Sequence, residues 1–239
     1  MTHIDCEAEN FALSGYNKTM TIVFLGFMLL IVLILFVVTR LEVEKITRHH
    51  YLQRVDFFKA HRIEKKDFVM IGDSLTAGAN WDELFPGIPI KNRGINADTT
   101  LGVLSRLDEI TAGQPAAIFL LIGTNDLPWY EYRHDELILG TYCEILQKIK
   151  KDSPTSKIFV QSLLPRGKRY AKRIVKLNDL LQLLAREESA NYIDLYPHFV
   201  GEKGELRSEL NNDHLHLLAN GYKIWQEILT PYINDLKKR

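Results

Sequence analysis

Apolar residues along this chain follow two regimes. Thr19 to Thr39 is one unbroken run without a charged residue, rich in Leu, Ile, Val and Phe. From Asp67 onward, short apolar runs alternate with stretches in which apolar residues recur every three or four positions. The short runs, bounded by Gly, Pro or polar clusters, predict strands, and the longer spacing predicts helices. Strands are expected at Phe68 to Ile71 (closed by Gly72), Ile88 to Asn92, Ala117 to Ile122, Lys157 to Leu164 and Tyr192 to Leu195. Helices are expected at Thr100 to Ile110, Asp135 to Lys151, Tyr170 to Glu188 and Ala219 to Asn234. In the first of these, Leu101, Leu104, Leu107 and Ile110 share one face. Such alternation implies an α/β domain, a mostly parallel sheet with helices on both faces. In sheets of this kind, functional groups gather in the loops after the carboxyl ends of the strands.

The long run changes the picture at the other end. As a helix, its 21 residues would extend about 31 Å, the thickness of a bilayer's hydrocarbon core. A cleavable signal peptide normally has basic residues before a shorter apolar region and a small-residue site after it. Here the preceding tail carries Asp5, Glu7 and Glu9, and the run leads into Thr39-Arg40-Leu41-Glu42. A retained transmembrane anchor is therefore expected at 19–39, behind an N-terminal tail at 1–18. A charge-dense helical connector follows at 40–66, and the α/β domain occupies 67–239. Lys18 alone flanks the run on one side, against Arg40, Lys45, Arg48 and Arg54 on the other. That bias favours a cytoplasmic domain, with the exported face as the alternative.

Composition narrows the function classes. Lys plus Arg and Asp plus Glu number 30 each. A protein gripping nucleic acid through its phosphates normally carries a basic excess, so nucleic acid is not expected as a partner. The two cysteines, Cys6 and Cys143, lie far apart on either side of the apolar run, which excludes a disulfide framework and zinc-type spacing. Cys143, in a helical stripe with Tyr142, Ile145, Leu146 and Ile149, is expected to be a buried structural thiol.

The chemistry concentrates at strand ends. Gly72-Asp73-Ser74-Leu75 puts a serine just past the first strand, although the same residues would also serve as an ordinary helix cap. A serine needs a base to accept its proton. Asn212-Asp213-His214-Leu215-His216-Leu217 offers one: Asp213 and His216 are three apart, so one turn of backbone brings carboxylate and imidazole to the same side. His214 is the rival base, expected to point elsewhere. His3, His49, His50, His61, His134 and His198 form no metal-ligand spacing with nearby carboxylates. Gly94, in Asn92-Arg93-Gly94-Ile95, offers an unobstructed backbone N–H, and Asn125, in Gly123-Thr124-Asn125-Asp126, offers a side-chain amide. Both are candidate donors to an oxyanion. Asp73 and Asp126 are expected to hold loops, and Arg166 to be either a contact for an anionic or sugar leaving group or a solvated charge.

Ser, Gly, Asn and His in this order resemble the four blocks of the SGNH (GDSL) hydrolases, and the resemblance covers the chain from about Asp67 to Trp225. It is closest to the branch of the platelet-activating-factor acetylhydrolase catalytic subunits. Arg93-Gly94-Ile95 with Asp98-Thr99-Thr100 and Arg106-Leu107, Leu163-Leu164-Pro165-Arg166-Gly167, and Asp213 to Leu217 carry that similarity. The chain departs at Asn96-Ala97, where a glycine often follows Gly94-Ile95, and at His214. The resemblance implies a three-layer, flavodoxin-like fold, preceded here by the one transmembrane helix. It implies Ser74 as nucleophile, His216 as base and Asp213 as its orienting carboxylate. Ser74, Gly94 and Asn125 would form the oxyanion hole, with no metal or organic cofactor.

The expected function is a serine esterase removing a short acyl group, acetyl first, from a carbohydrate or lipid ester, with the bilayer as a partner through the N-terminal helix. The alternatives are a lysophospholipase or thioesterase on longer chains, an acyltransferase, and a non-catalytic membrane scaffold.

Overall fold

The computed structural model describes residues 3–128 and 133–238, with side chains from residue 20 onward, so the side chain of Cys6 lies outside what is described. The chain divides into two compact units at His49 and His50. The first consists of helix α1 (His3–Ala60) as far as His49. Its apolar side chains from Met20 to Val38 are exposed, Ile31 only partly. This is one helix long and apolar enough to cross a membrane, a property that a signal sequence near an N-terminus shares. Beyond the apolar run, Arg40 Nε donates to Glu44 Oε1 at 2.9 Å, an i,i+4 pair that supports the helix locally.

The second unit takes the last turns of α1 and then alternates strand and helix. In order come β1 (Phe68–Gly72), α2 (Ser74–Ala77), α3 (Trp81–Leu84), β2 (Ile90–Gly94), α4 (Thr100–Ser105) and α5 (Asp108–Thr111). β3 (Ala117–Leu121), α6 (Asp135–Asp152), β4 (Lys157–Gln161) and α7 (Ala171–Glu187) follow. β5 (Asn191–Ile193), α8 (Tyr196–Phe199) and α9 (Ala219–Lys237) complete the chain. The five strands among the described residues pair in parallel in the order β2-β1-β3-β4-β5. This is the flavodoxin-like order, in which the two inner crossings send helices to opposite faces.

β1 and β3 are buried at every position, which is why they read as continuous apolar runs rather than as an alternation. Their side chains still alternate between faces. Val69, Ile71, Ile118, Leu120 and Val160 pack against Val103, Leu107, Tyr142, Ile145, Ile174 and Leu177 of α4 to α7 and their connections. Phe68, Met70, Phe119, Leu121 and Phe159 meet Leu75, Trp81, Phe199, Trp225 and Leu229 on the other side. There the Phe119 and Phe159 rings stack at 4.5 Å. Each such buried side chain contributes roughly 1.5–3 kcal/mol over exposure, so the two clusters dominate the stability of the unit.

Three expectations are corrected by packing. The helix expected from Thr100 to Ile110 is two short helices, broken at Arg106 and Leu107. Arg106 turns inward to donate to the Arg93 carbonyl at 2.8 Å, and the break shifts the buried face from Leu101, which is exposed, to Val103. The strand expected to reach Leu164 stops at Gln161. From there side chains replace the ladder: Asn178 bonds the Leu163 N–H and C=O at 2.8 and 3.0 Å, and Ser162 Oγ accepts from the Leu195 and Tyr196 amides. Cys143 is half-exposed rather than buried, and its thiol donates to Glu188 Oε1 at 3.6 Å.

Candidate active site

The strand register decides where the loops meet. Gly72 of β1 lies level with Gly94 of β2 and Leu121 of β3, so the segments after all three leave the sheet along one edge. Gly72 is required by close approach: a Cβ there would fall 2.2 Å from Thr76 Oγ1 and 2.4 Å from the Leu121 carbonyl oxygen. The chain then turns directly into α2. Asp73 caps that helix, its Oδ1 accepting from the Leu75 N–H at 2.9 Å, and Ser74 is the first helical residue. The cap and the candidate nucleophile are thus both present, on adjacent residues.

His216 reaches Ser74 from the loop before α9. Ser74 Oγ and His216 Nε2 are 2.9 Å apart, and His216 Nδ1 lies 2.6 Å from Asp213 Oδ2. The other carboxylate oxygen of Asp213 accepts from the Leu215 and His216 amides at 2.9 and 2.7 Å. Burial alone would raise the Asp213 pKa, but these hydrogen bonds together hold it below the usual carboxylate range. The imidazole therefore faces an ionised partner. Asn211, which sequence reasoning did not single out, frames this turn. Its Nδ2 donates to the Leu206 and Arg207 carbonyls, and its Oδ1 accepts from the His214 N–H at 2.6 Å. His214 sits at a φ of 63°, in the left-handed region that lets the chain double back between Asp213 and His216. Its backbone N–H serves the turn.

The two candidate oxyanion donors fare differently. Asn125 occupies a 3₁₀ turn just past β3, half-exposed, with Nδ2 donating to the Asp98 carbonyl at 2.9 Å. The Gly94 N–H is already engaged by Asn92 Oδ1 at 2.9 Å, and Gly94 is buried. A Cβ there would lie 2.3 Å from the Ala77 amide nitrogen, so the glycine permits α2 to pack on β2. Farther along the same loop, Ala97 is exposed and has a φ of 61°.

The surrounding charges are mostly turned to structure. Asp126 is buried and accepts from the Thr100 N–H and hydroxyl at 3.1 and 2.8 Å. Asp73 is fully buried, and burial, assisted by Asp98 and Asp126 and opposed by its hydrogen bond and Arg166, pushes its pKa up to about 7. Arg166 is not a solvated charge: its Nη1 donates to the Thr124 carbonyl at 2.6 Å and its guanidinium lies 4.7 Å over the Tyr170 ring. Among the described residues, no group of three or more His, Cys, Asp or Glu is placed to hold a metal ion.

A three-layer parallel sheet carrying this file of groups at its carboxyl edge defines a serine ester hydrolase of the α/β class. The model of the GDSL-like lipase/acylhydrolase family matches residues 70–224, and the chain belongs to that family. It is 31% identical over 170 residues to the rat platelet-activating factor acetylhydrolase IB subunit alpha1, covering 66% of this chain and 71% of that one. The human alpha2 subunit is 32% identical over 169 residues, with 66% and 72% covered. A solved Streptococcus pneumonia protein, provisionally assigned as a platelet activating factor, superposes with a TM-score of 0.72 at 26% identity, over 80% of this chain and 96% of that one.

Proposed function

We propose that this chain is a membrane-anchored serine esterase that removes a short acyl group, acetyl first, from a carbohydrate or lipid ester. The observation that carries the mechanism is the Ser74–His216–Asp213 file at 2.9 and 2.6 Å. In it, Ser74 Oγ attacks the ester carbonyl while His216 Nε2 takes the hydroxyl proton. His216 then returns that proton to the departing alcohol, leaving Ser74 acylated. Water, deprotonated by His216, attacks the acyl carbon and restores the serine. Asp213 stays ionised throughout, fixing the ring tautomer and stabilising the imidazolium.

The tetrahedral oxyanion requires donors that are free or easily freed. The Ser74 amide, at the start of α2, and the Asn125 side chain fit that requirement. The Gly94 amide joins them only by releasing Asn92 Oδ1; the backbone amide of the exposed Ala97 is the donor we assign to this loop. The acetyl preference rests on likeness to proteins named acetylhydrolases, and the anchor on the length and exposure of the apolar run in α1.

The test is hydrolysis of p-nitrophenyl esters of increasing acyl length by the full chain and its Ser74→Ala variant. Serine-dependent hydrolysis greatest at acetate is expected. A maximum at long chains would replace the acetyl reading with a lysophospholipase or thioesterase. Equal rates for the two proteins would remove the catalytic reading altogether.

A further inference from the structure

The last turns of α1 precede the span matched by the family model, which begins at residue 70, yet they are built into the second unit. Tyr51 Oη donates to the Gly102 carbonyl at 3.0 Å, and Phe58 is 2% exposed. The Phe58 ring is surrounded by cations. The Arg54 and Arg93 guanidiniums each lie 4.6 Å from its centroid and that of Arg106 lies 5.9 Å away. Three guanidiniums collect at one place here, with Glu109 Oε1 3.8 Å from Arg106 Nη1 and Asp98 Oδ2 2.9 Å from its Nε as the facing carboxylates. The ring offers the guanidiniums a favourable face while keeping water from the innermost, Arg106.

Arg106 is the tie between the loops at the sheet edge. Its side chain is 1% exposed, and Nε donates to Asp98 Oδ2 at 2.9 Å. Nη2 donates to the Arg93 carbonyl at 2.8 Å and reaches the Gly72 carbonyl, two residues before Ser74, at 3.4 Å. Arg93, in turn, donates to the His61 carbonyl at the end of α1. Asp98 is the residue whose carbonyl accepts from Asn125 Nδ2. A continuous chain of contacts thus runs from Phe58 through Arg106 and Asp98 to Asn125.

We propose that Phe58 and Arg106 are positioning residues for catalysis: the ring holds the guanidinium in place, the guanidinium holds the Asp98 loop, and the loop aims the Asn125 amide. The last turns of the leading helix are then a working part of the active site. The inference rests on Asn125 serving as an oxyanion donor. Removing the ring opens the buried guanidinium to water and frees it to turn from Asp98 toward Glu109, its other carboxylate partner, which loosens the Asp98 loop. A purely packing role would respond to the volume of the side chain and not to its aromaticity.

The experiment uses the full chain in detergent micelles, with active Ser74 sites counted by a fluorophosphonate. The kcat per titrated site should fall about tenfold in Phe58→Leu, which stays apolar and gives up little volume, with KM within twofold. Phe58→Tyr, which keeps the ring, should restore the rate to within twofold. In an Asn125→Ala background the Phe58→Leu loss should disappear, since the two act through one group. Hydrogen exchange should rise at residues 95–98 in Phe58→Leu and stay unchanged in β3, and that readout does not depend on turnover. An unchanged rate per site, a loss that persists fully without Asn125, or unaltered exchange at 95–98 overturns the inference. Wild-type hydrolysis that does not require Ser74 overturns the catalytic reading instead, and the exchange measurement still decides whether Phe58 holds the loop.

Discussion

Asp73 is a carboxyl group buried beside Ser74, the proposed nucleophile, and replacing it with asparagine separates its structural from its electrostatic contribution. The Asp73→Asn variant would retain a side-chain oxygen for the Leu75 amide but could not ionise. In the folded protein the Asp73 pKa stands at about 7, against 3.8 for a free side chain, with burial as the main cause. A displacement of that size is worth about 4 kcal/mol between the two protonation states. The folded pKa is raised, so the stabilising contribution is complete below about pH 4 and is lost as pH rises through 7. Between pH 5 and pH 8, the wild type should lose roughly 3 kcal/mol of unfolding free energy relative to Asp73→Asn. The second oxygen, Oδ2, is buried without a hydrogen-bond partner, so an amide NH₂ placed there costs about 1–3 kcal/mol. That cost does not vary with pH and only offsets the curves. Urea unfolding of both full-length proteins across pH 5 to 9 measures the difference. Parallel curves would refute the assignment of a buried, proton-binding Asp73.

Two further substitutions probe the same edge of the sheet. Asn125→Ala should lower kcat by a factor of about 10² to 10³ with little change in folding, measured as turnover per titrated serine against thermal unfolding. Gly72→Ala forces a methyl group against Thr76 Oγ1 and the Leu121 carbonyl, at 2.2 and 2.4 Å in the present backbone. It should destabilise the fold by more than about 3 kcal/mol, read as a lowered urea midpoint, because neither the strand nor the helix start can move away.

The parts of this structure legible in the sequence are those fixed by local chemistry. β1 and β3 announce themselves because strands covered on both faces cannot tolerate a polar side chain. The Asp213–His216 pair is legible for a related reason, since a spacing of three within one turn is geometry that the backbone enforces by itself. What escaped is decided through space. The break in the helix after Ser105 follows from Arg106 finding the Arg93 carbonyl, a partner 13 residues back. The occupation of the Gly94 amide depends on a rotamer of Asn92. Phe58 stands beside Phe57 in a charge-dense stretch, where nothing local tells which of the two turns inward. Its significance lies in two arginines contributed from far along the chain.

The two halves of the proposed serine activation differ sharply in how far apart their members lie. Asp213 and His216 are three positions apart and close within a single turn, whereas Ser74 and His216 are separated by 142 residues. Contacts of the first kind form early and at little entropic cost; those of the second wait for nearly the whole chain to be ordered. An incompletely folded molecule therefore carries a prepared imidazole and an inert hydroxyl. Reactivity of Ser74 toward an acylating probe would then report closure of the entire sheet from β1 to α9, and a chain still being synthesised would be chemically silent toward the esters around it.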